Sequence, residues 1–257
     1  MLQFFKKQIN LLLTAIMFFT RIPVKAPYHQ ALLNKCNRYF PLVGILVGGF
    51  GAVTFYLSSY LFPIQVSVVI SMISTIWLTG AFHEDGLCDV CDALGGGWTK
   101  ERILDIMKDS RVGAYGAIGI ILTLLLKFST LSNLPITFIP ISIIVSHIVS
   151  RSTAVTTMAS LVYIREDELS KSKPITKNIQ TKDWLIALLT GISSILLLQS
   201  TIFFILIPIL FMVKMLLDRW FKKWIGGYTG DCLGTVQQVS EIVSLLTILA
   251  LINSTQI

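Results

Sequence analysis

The chain has 257 residues, of which 54% are hydrophobic and only 14% are charged, and its mean hydropathy is +0.74. A soluble domain carries about 25% charged residues, so this composition excludes an ordinary soluble globular protein. The formal net charge is +7. In a membrane protein such an excess mainly marks cytoplasmic loops, and we expect no nucleic-acid partner. The sequence predicts an all-α, polytopic membrane helical bundle formed by one domain, residues 1–257.

Seven apolar runs predict transmembrane helices, and an eighth run precedes them. The predicted spans are residues 40–61, 64–82, 113–131, 136–160, 184–198, 201–215 and 236–251. The first run, residues 9–19, has basic residues on both sides and predicts an interfacial or re-entrant helix. The apolar stretch 184–213 exceeds a hydrocarbon core of roughly 30 Å, so we expect a tight hairpin near Gln199-Ser200.

Basic residues fall in alternate linkers between these spans. The basic segments are residues 25–38, 100–111, 165–182 and 214–223, whereas the linkers around Pro63, Asn133 and Gln199 carry no charge. Because Lys and Arg mark the cytoplasmic side, all four basic segments are expected there. The sequence therefore predicts a multi-pass membrane protein, with its acidic and glycine-rich segments at the cytoplasmic face.

Half of the 14 acidic residues lie between positions 84 and 109. On a helix, Asp85, Asp89 and Asp92 are spaced i, i+4, i+7 and share one face, with Glu84 displaced by about 100°. Four carboxylates without an intervening basic residue repel one another unless a cation binds, and oxygen ligands suit hard divalent cations. We therefore predict that Glu84, Asp85, Asp89 and Asp92 hold one or two metal ions. His83 is a candidate base, metal ligand or membrane-interface residue.

Two cysteines lie among these acidic residues, and three glycines follow them. Cys88 and Cys91 have the spacing of half a zinc site, but no second pair follows at a suitable distance, so we interpret them as packing residues. The run Gly95-Gly96-Gly97 is expected to end the helix.

Residues 108–111 precede the span that begins near Gly113. Lys108, Ser110 and Arg111 beside small residues at a helix N-terminus suit a phosphate or diphosphate. Ordinary membrane anchoring is the alternative, and Asp109 could pair with one of the two cations.

Two further segments carry candidate substrate contacts. Arg151 lies within a predicted span, so we expect it to face the bundle interior and to meet a substrate phosphate, the acidic helix or a structural salt-bridge partner. The segment 226–234 has four glycines, and Gly227 and Gly230 would let the backbone approach a ligand. Asp231 is the acid in that segment and is a candidate metal ligand or catalytic base.

Taken together, these motifs resemble the adenosylcobinamide-GDP ribazoletransferase, or cobalamin synthase, family. The similar segments are residues 19–23 (FTRIP), 40–44 (FPLVG), 82–87 (FHEDGL) with Asp89 and Asp92, 107–111 (MKDSR) and 226–234 (GGYTGDCLG). The resemblance implies a magnesium-dependent integral enzyme of a bacterial or archaeal inner membrane. It would join adenosylcobinamide-GDP to α-ribazole, or to the 5′-phosphate of α-ribazole, and release GMP. The lipid bilayer and a possible homo-oligomer complete the expected partners.

The resemblance also suggests roles for the candidate residues. Mg²⁺ ions on the acidic helix would neutralise the diphosphate, and Lys108, Arg111 and Arg151 would add charge-assisted hydrogen bonds. The proton of the attacking hydroxyl would pass to Asp92, Asp231 or His83, among which the sequence does not choose.

Two other functions are consistent with acidic residues at a membrane face. CDP-alcohol phosphatidyltransferases carry the pattern Asp-x-x-Asp-Gly-x-x-Ala-Arg, but Phe82 stands where the first Asp would be and no Ala-Arg follows. A cation transporter would place its carboxylates at mid-bilayer rather than at one face.

Overall fold

The computed structural model describes residues 2–26, 30–164 and 179–255, and within them the chain forms eleven α-helices. They are α1 (Leu2–Phe19), α2 (Gln30–Cys36), α3 (Phe40–Ser59), α4 (Ile64–Thr79), α5 (Phe82–Gly96), α6 (Lys100–Ile106), α7 (Ala114–Ser132), α8 (Ile139–Ser160), α9 (Thr181–Ser194), α10 (Leu206–Ile225) and α11 (Gly230–Thr255). The predicted all-α class is confirmed.

The described residues contain six helical segments that are long and apolar enough to cross a membrane, or seven if the bent pair α4 and α5 forms one span. Each of the seven predicted spans falls on one helix, namely α3, α4, α7, α8, α9, α10 or α11. The chain is therefore a multi-pass membrane protein. Within the described part of the chain α1 does not qualify as a span, in line with the interfacial or re-entrant helix expected there.

The centre of the bundle is α8, which packs on α3, α9 and α11. Its apolar window is 78% buried, against 22% for α7, so α8 forms the core and α7 faces lipid on most of its surface. Close packing of α3 on α8 needs small residues, because a Cβ at Gly44 would lie 2.5 Å from the carbonyl oxygen of His147. Gly48 is similarly close to Ile144.

The predicted hairpin between α9 and α10 is confirmed. Two 3₁₀ turns, Ile195–Leu198 and Thr201–Ile205, flank Gln199, whose φ of 58° reverses the chain. Each arm thus combines an α-helix with a 3₁₀ turn.

One boundary prediction was wrong, because α10 continues to Ile225 instead of ending near residue 215. The basic stretch 214–223 is therefore helical rather than a linker. Its first turn is held by an ion pair of 2.8 Å between Lys214 Nζ and Asp218 Oδ2, and Thr157 donates to Asp218 Oδ1 at 2.9 Å. Most of the predicted basic segment 165–182 lies outside the described residues.

A second boundary prediction was also wrong, because the span predicted over residues 64–82 ends at Thr79. The helices α4 and α5 meet at an angle of 88° because Gly80 (φ 70°) and Ala81 (φ 58°) both adopt the left-handed region. Gly80 is needed there for a further reason, since a Cβ would lie 2.5 Å from Nε of Arg21. The acidic segment therefore forms a helix of its own, turned away from the preceding span.

Candidate active site

The acidic helix α5 presents two carboxylates on an accessible face. Asp85 is exposed and Asp89 is partly exposed, one turn apart on the same side of the helix. The helix starts at the bend, where Asp85 N donates to Ala81 O at 2.9 Å, and it ends at Gly96, with Gly97 N donating to Ala93 O. The predicted helix and its glycine terminus are both confirmed.

Asp92 joins α5 to the start of α7. Its Oδ2 accepts a hydrogen bond from Gly113 N at 2.7 Å, and its Oδ1 accepts one from Gly116 N at 2.8 Å. A methyl group on either glycine would collide with this carboxylate. Asp92 therefore satisfies two of the N–H groups that a helix N-terminus leaves unpaired, and both of its oxygens already accept hydrogen bonds.

Glu84 points in a different direction, toward α11. Its Oε1 accepts a hydrogen bond from Gln238 Nε2 at 3.0 Å. The four acidic residues predicted as one metal site thus separate into Asp85 and Asp89 on the accessible face, Asp92 at α7 and Glu84 at α11.

In the part of the chain that the structure describes, no three His, Cys, Asp or Glu side chains form a group that could hold a metal ion. Mg²⁺ does not require such a group, since it is usually bound through one or two carboxylates together with substrate phosphates and water. Asp85 and Asp89 are hard oxygen donors one turn apart and fit that mode of binding. The magnesium site remains a prediction, now centred on these two residues.

Asp231 lies beside the acidic helix because α5 and α11 are in backbone contact. A Cβ at Gly86 would be 3.0 Å from the Cα of Asp231, and a Cβ at Gly234 would be 3.0 Å from the carbonyl oxygen of His83. Thr235 Oγ1 bridges the two helices, with Asp231 O at 2.9 Å and Gly86 O at 3.3 Å. The sequence placed these two segments at the same face, and the structure brings them together.

The helix α11 begins within the glycine-rich segment, at Gly230. Thr229 Oγ1 accepts a hydrogen bond from Cys232 N at 3.3 Å, as an N-cap residue does. The remaining N–H groups of the first turn, and the positive end of the helix dipole, lie at the same rim as Asp231. This arrangement favours an anion such as a phosphate.

The two glycines predicted to approach a ligand differ in their surroundings. Gly227 lies against residues 162–164, where Tyr228 N donates to Val162 O at 3.0 Å and Ile164 N donates to Tyr228 O at 3.1 Å. The chain itself therefore accounts for the missing side chain at Gly227. At Gly230, no described atom lies within 4 Å of the position that a Cβ would take, which leaves room for a ligand.

The loop before α7 carries the predicted phosphate contacts, Lys108, Ser110 and Arg111, all of which are exposed. Arg111 Nη2 lies 2.6 Å from Asp109 Oδ2, so the alternative that Asp109 pairs with a neighbouring cation is confirmed. Hydrogen bonds from the side chain and backbone of Arg111 lower the pKa of Asp109 to about 2. The positive charge of Arg111 is therefore partly neutralised by Asp109.

Arg151 and His83 are both buried and both contact the ring of Phe40. Arg151 is 1% exposed, as expected of a charge facing the interior, and its Nη1 donates to the carbonyl oxygen of His147 at 3.0 Å. Its guanidinium carbon lies 5.5 Å from the Phe40 ring centroid, and that ring stacks on His83 at 5.6 Å. Neither side chain is accessible, and their predicted substrate or base roles remain predictions.

A buried ion cluster, Lys127, His147, Arg151 and Glu241, lies in the bundle core and was not predicted as a unit. Lys127 Nζ pairs with Glu241 Oε1, and His147 Nδ1 lies 3.2 Å from Glu241 Oε2. Gln237 Nε2 also donates to Glu241 Oε2, at 2.6 Å. The available signal was the presence of Lys127 and Glu241 inside apolar spans, because an intramembrane charge needs a partner.

Both cysteines of α5 pack against glycines of α7, as predicted. A Cβ at Gly116 would lie 2.6 Å from Cys88 Sγ, and one at Gly119 would lie 2.7 Å from Cys91 Sγ. These side chains fill the contact between the two helices.

The fold and the site together define a class, a multi-pass helical membrane protein with a carboxylate-bearing helix beside the N-terminus of a long span. A family model described as cobalamin-5-phosphate synthase matches residues 11–249. Similar proteins named adenosylcobinamide-GDP ribazoletransferase come from Shewanella amazonensis (44% identity, covering 96% of this chain and 97% of the relative), Shewanella frigidimarina (44%, 95% and 95%) and Vibrio parahaemolyticus (43%, 95% and 93%). The chain belongs to the cobalamin-5-phosphate synthase family. No solved structure matches it.

Proposed function

We propose that this enzyme joins adenosylcobinamide-GDP to α-ribazole, or to α-ribazole 5′-phosphate, and releases GMP. Family membership supports this reaction, as do relatives at 43–44% identity over nearly the whole chain. The observation that carries the site is the backbone contact at Gly86, which sets Asp231 beside the acidic helix. One end of the bundle, called the rim below, therefore carries the carboxylates of Asp85, Asp89 and Asp231 together with the N-terminus of α11.

Asp85 and Asp89 would hold Mg²⁺ together with the diphosphate of the donor. When bound, the ion would neutralise negative charge on the diphosphate and on the leaving GMP. The first-turn N–H groups of α11 point toward the same space and suit phosphate oxygens. Lys108 and Arg111 on the neighbouring loop provide charge-assisted hydrogen bonds to the phosphates. To do so, Arg111 gives up part of its hydrogen bonding with Asp109.

A ribose hydroxyl that is free in both α-ribazole and its 5′-phosphate attacks the phosphorus attached to cobinamide, the bond from that phosphorus to GMP breaks, and the hydroxyl must lose a proton. Among the three predicted bases, Asp92 already accepts two backbone hydrogen bonds and His83 is buried. Asp231 is partly exposed and adjoins the acidic helix. We therefore assign the acceptance of this proton to Asp231.

The site would face the cytoplasm in a bacterial or archaeal inner membrane. Support comes from the exposed basic residues of α6 and of the loop before α7, close to the acidic helix, because Lys and Arg are enriched in cytoplasmic loops.

A GMP-release assay tests the reaction. The purified protein in lipid nanodiscs is supplied with adenosylcobinamide-GDP and α-ribazole, with magnesium or with excess EDTA. GMP release that depends on both substrates and stops with EDTA supports the proposal. Parallel reactions contain CDP-diacylglycerol as the donor, and release of CMP instead of GMP would assign the protein to lipid headgroup transfer.

The assignment of Asp231 has a separate test. Asp231→Asn is expected to lower kcat about 100-fold with little change in KM, because a general base acts mainly in the transition state. Asp105→Asn, which removes an exposed acid from α6, serves as the matched control and is expected to keep wild-type kcat. An unchanged kcat in Asp231→Asn would return the role to Asp92 or His83.

A further inference from the structure

A cleft with a volume of about 620 Å³ opens between α8, α9 and α10, away from the acidic helix. This volume lies within the range of roughly 300–1,000 Å³ that small-molecule sites occupy. The arms α9 and α10 both pack on α8, which forms the floor of the cleft. Its walls are largely apolar and include Trp184, Leu188, Ile195, Ile207 and Phe211.

The length of the cleft along α9 is close to the hydrocarbon thickness of one leaflet of a bilayer. The lining residues extend from Trp184 of α9 to Ile195, which begins the following 3₁₀ turn, and eleven residues rise about 16 Å at 1.5 Å each. Half of a hydrocarbon core of roughly 30 Å is about 15 Å. The end at Trp184 also carries Ser160 and Lys214, polar groups that belong at a membrane interface.

The hydroxyl groups and the ammonium group of the lining already have partners in the protein. The hydroxyl groups with such acceptors are Ser152 (to Ala187 O, 2.9 Å), Thr153 (to Val149 O, 2.8 Å), Thr156 (to Thr153 O, 2.7 Å) and Ser160 (to Asp218 Oδ2, 2.6 Å). Lys214 is paired with Asp218 at 2.8 Å. Each hydroxyl thus has an acceptor in the protein and the charge of Lys214 is compensated, so the lining offers little to a ligand rich in amides or phosphates, whereas a hydrocarbon chain needs no polar partner.

We propose that this cleft binds one acyl chain of a bilayer phospholipid, with the headgroup beside Trp184 and Lys214. The lining selects a hydrocarbon chain, and the surrounding spans place the opening in the membrane. Because Lys214 is neutralised by Asp218, binding depends on the chain and only weakly on headgroup charge. The proposal does not depend on the reaction assigned above.

Quenching of Trp184 fluorescence by brominated acyl chains tests the proposal. The full-length protein keeps Trp184 while Trp77, Trp98, Trp220 and Trp224 are changed to Phe, and it is placed in nanodiscs of phosphatidylcholine brominated along one acyl chain. If the quadruple substitution does not fold, the difference between wild-type protein and Trp184→Phe gives the same signal.

A filled cleft provides the decisive comparison. In Thr156→Phe, or independently Leu188→Phe, quenching of Trp184 is expected to fall about twofold or more because the added ring excludes the chain. Leu189→Phe, on the exposed face of the same helix, is the control and should leave quenching unchanged. Exchange of phosphatidylcholine for brominated phosphatidylglycerol should also leave it unchanged.

Three outcomes would overturn the proposal. Quenching that is equal in the filled variants and in the control means that Trp184 senses only bulk lipid. Strong dependence on headgroup charge contradicts recognition of the chain. Protection of Trp184 by adenosylcobinamide-GDP would assign the cleft to the corrinoid donor instead.

Discussion

Two groups of charged side chains in this protein occupy contrasting surroundings. Asp85 and Asp89 lie on the accessible face of α5, next to Asp231 and the N-terminus of α11. Lys127 and Glu241 of the buried ion cluster lie inside the bundle and pair with each other. The two groups sit on helices in direct contact, since α11 packs on both α5 and α7.

The contrast shows how pairing within the protein limits what a charge can bind. Each member of the buried cluster has protein partners, and a buried charge without one is strongly destabilising. Asp85 and Asp89 are exposed or partly exposed, so solvent and external ligands can reach them. Burial, rather than residue type, therefore separates the charges that protein partners neutralise from the charges that solvent can reach.

The largest effect is expected when the buried pair is broken. Lys127→Met leaves Glu241 without its cation and should lower the free energy of unfolding by about 3–5 kcal/mol. Unfolding in mixed micelles with increasing SDS measures the loss. Lys222→Met, at an exposed position of α10, should change stability by no more than about 0.5 kcal/mol.

The double variant Lys127→Met/Glu241→Gln tests whether the two residues act as a pair. Its loss of unfolding free energy should be smaller than the sum of the losses in the two single variants, because neither charge then remains buried alone. Strictly additive losses would show that the cluster is not the structural unit described above.

The next largest effect is a loss of activity, expected when Asp85 or Asp89 is changed. Asp85→Asn and Asp89→Asn should each lower kcat by about 100-fold, the scale found when one electrostatic contact to a transition state is lost. The unfolding free energy of Asp85→Asn should match that of the wild type, since this side chain is exposed. A variant that loses stability and activity in parallel would remove the distinction between the two groups.

Glu84 lies between the two groups and sharpens the comparison. Its hydrogen bond with Gln238 connects α5 to α11, so Glu84→Leu, which removes the acceptor, should cost about 1–3 kcal/mol of stability. The magnesium concentration for half-maximal GMP release should stay unchanged. A large rise in that concentration would restore Glu84 to the metal ligands predicted from the sequence.

The smallest effect is expected at the exposed pair of Asp109 and Arg111. The pKa of Asp109 falls from 3.8 to about 2, so this pair stabilises the folded state above the ordinary pKa and loses that contribution only as the pH falls through about 2. Asp109→Asn should therefore leave the pH profile of GMP release unchanged between about pH 5 and 9, where the carboxylate stays ionised. A shifted acid limb in this variant would show that Asp109 titrates in the working range.

Local sequence patterns predicted much of the fold. Long apolar runs mark the spans, and the length limit of one span located the hairpin at Gln199. The spacing of Asp85 and Asp89 also identified the accessible face of α5, because the helix there is regular. Cys88 and Cys91 could be assigned to packing because no partner set for zinc followed.

Contacts between distant positions could not be predicted in this way. Asp92 caps α7 from 24 residues away, and Lys127 meets Glu241 across 114 residues. Ala81 adopts a left-handed conformation without a local signal, since alanine disfavours it, and the bend at α5 was missed for that reason. The division of four carboxylates among three environments follows from that bend and from those contacts.

Binding of Mn²⁺ tests the central claim most directly, because Mn²⁺ accepts the same oxygen ligands as Mg²⁺ and its free form is counted by electron paramagnetic resonance. The protein in nanodiscs is titrated with Mn²⁺ with and without adenosylcobinamide-GDP. Bound Mn²⁺ should increase with the donor in the wild type and in Asp105→Asn, and should be lost in folded Asp85→Asn/Asp89→Asn. Equal donor-dependent binding in wild type and the double variant would contradict a reaction centre on the rim carboxylates of α5.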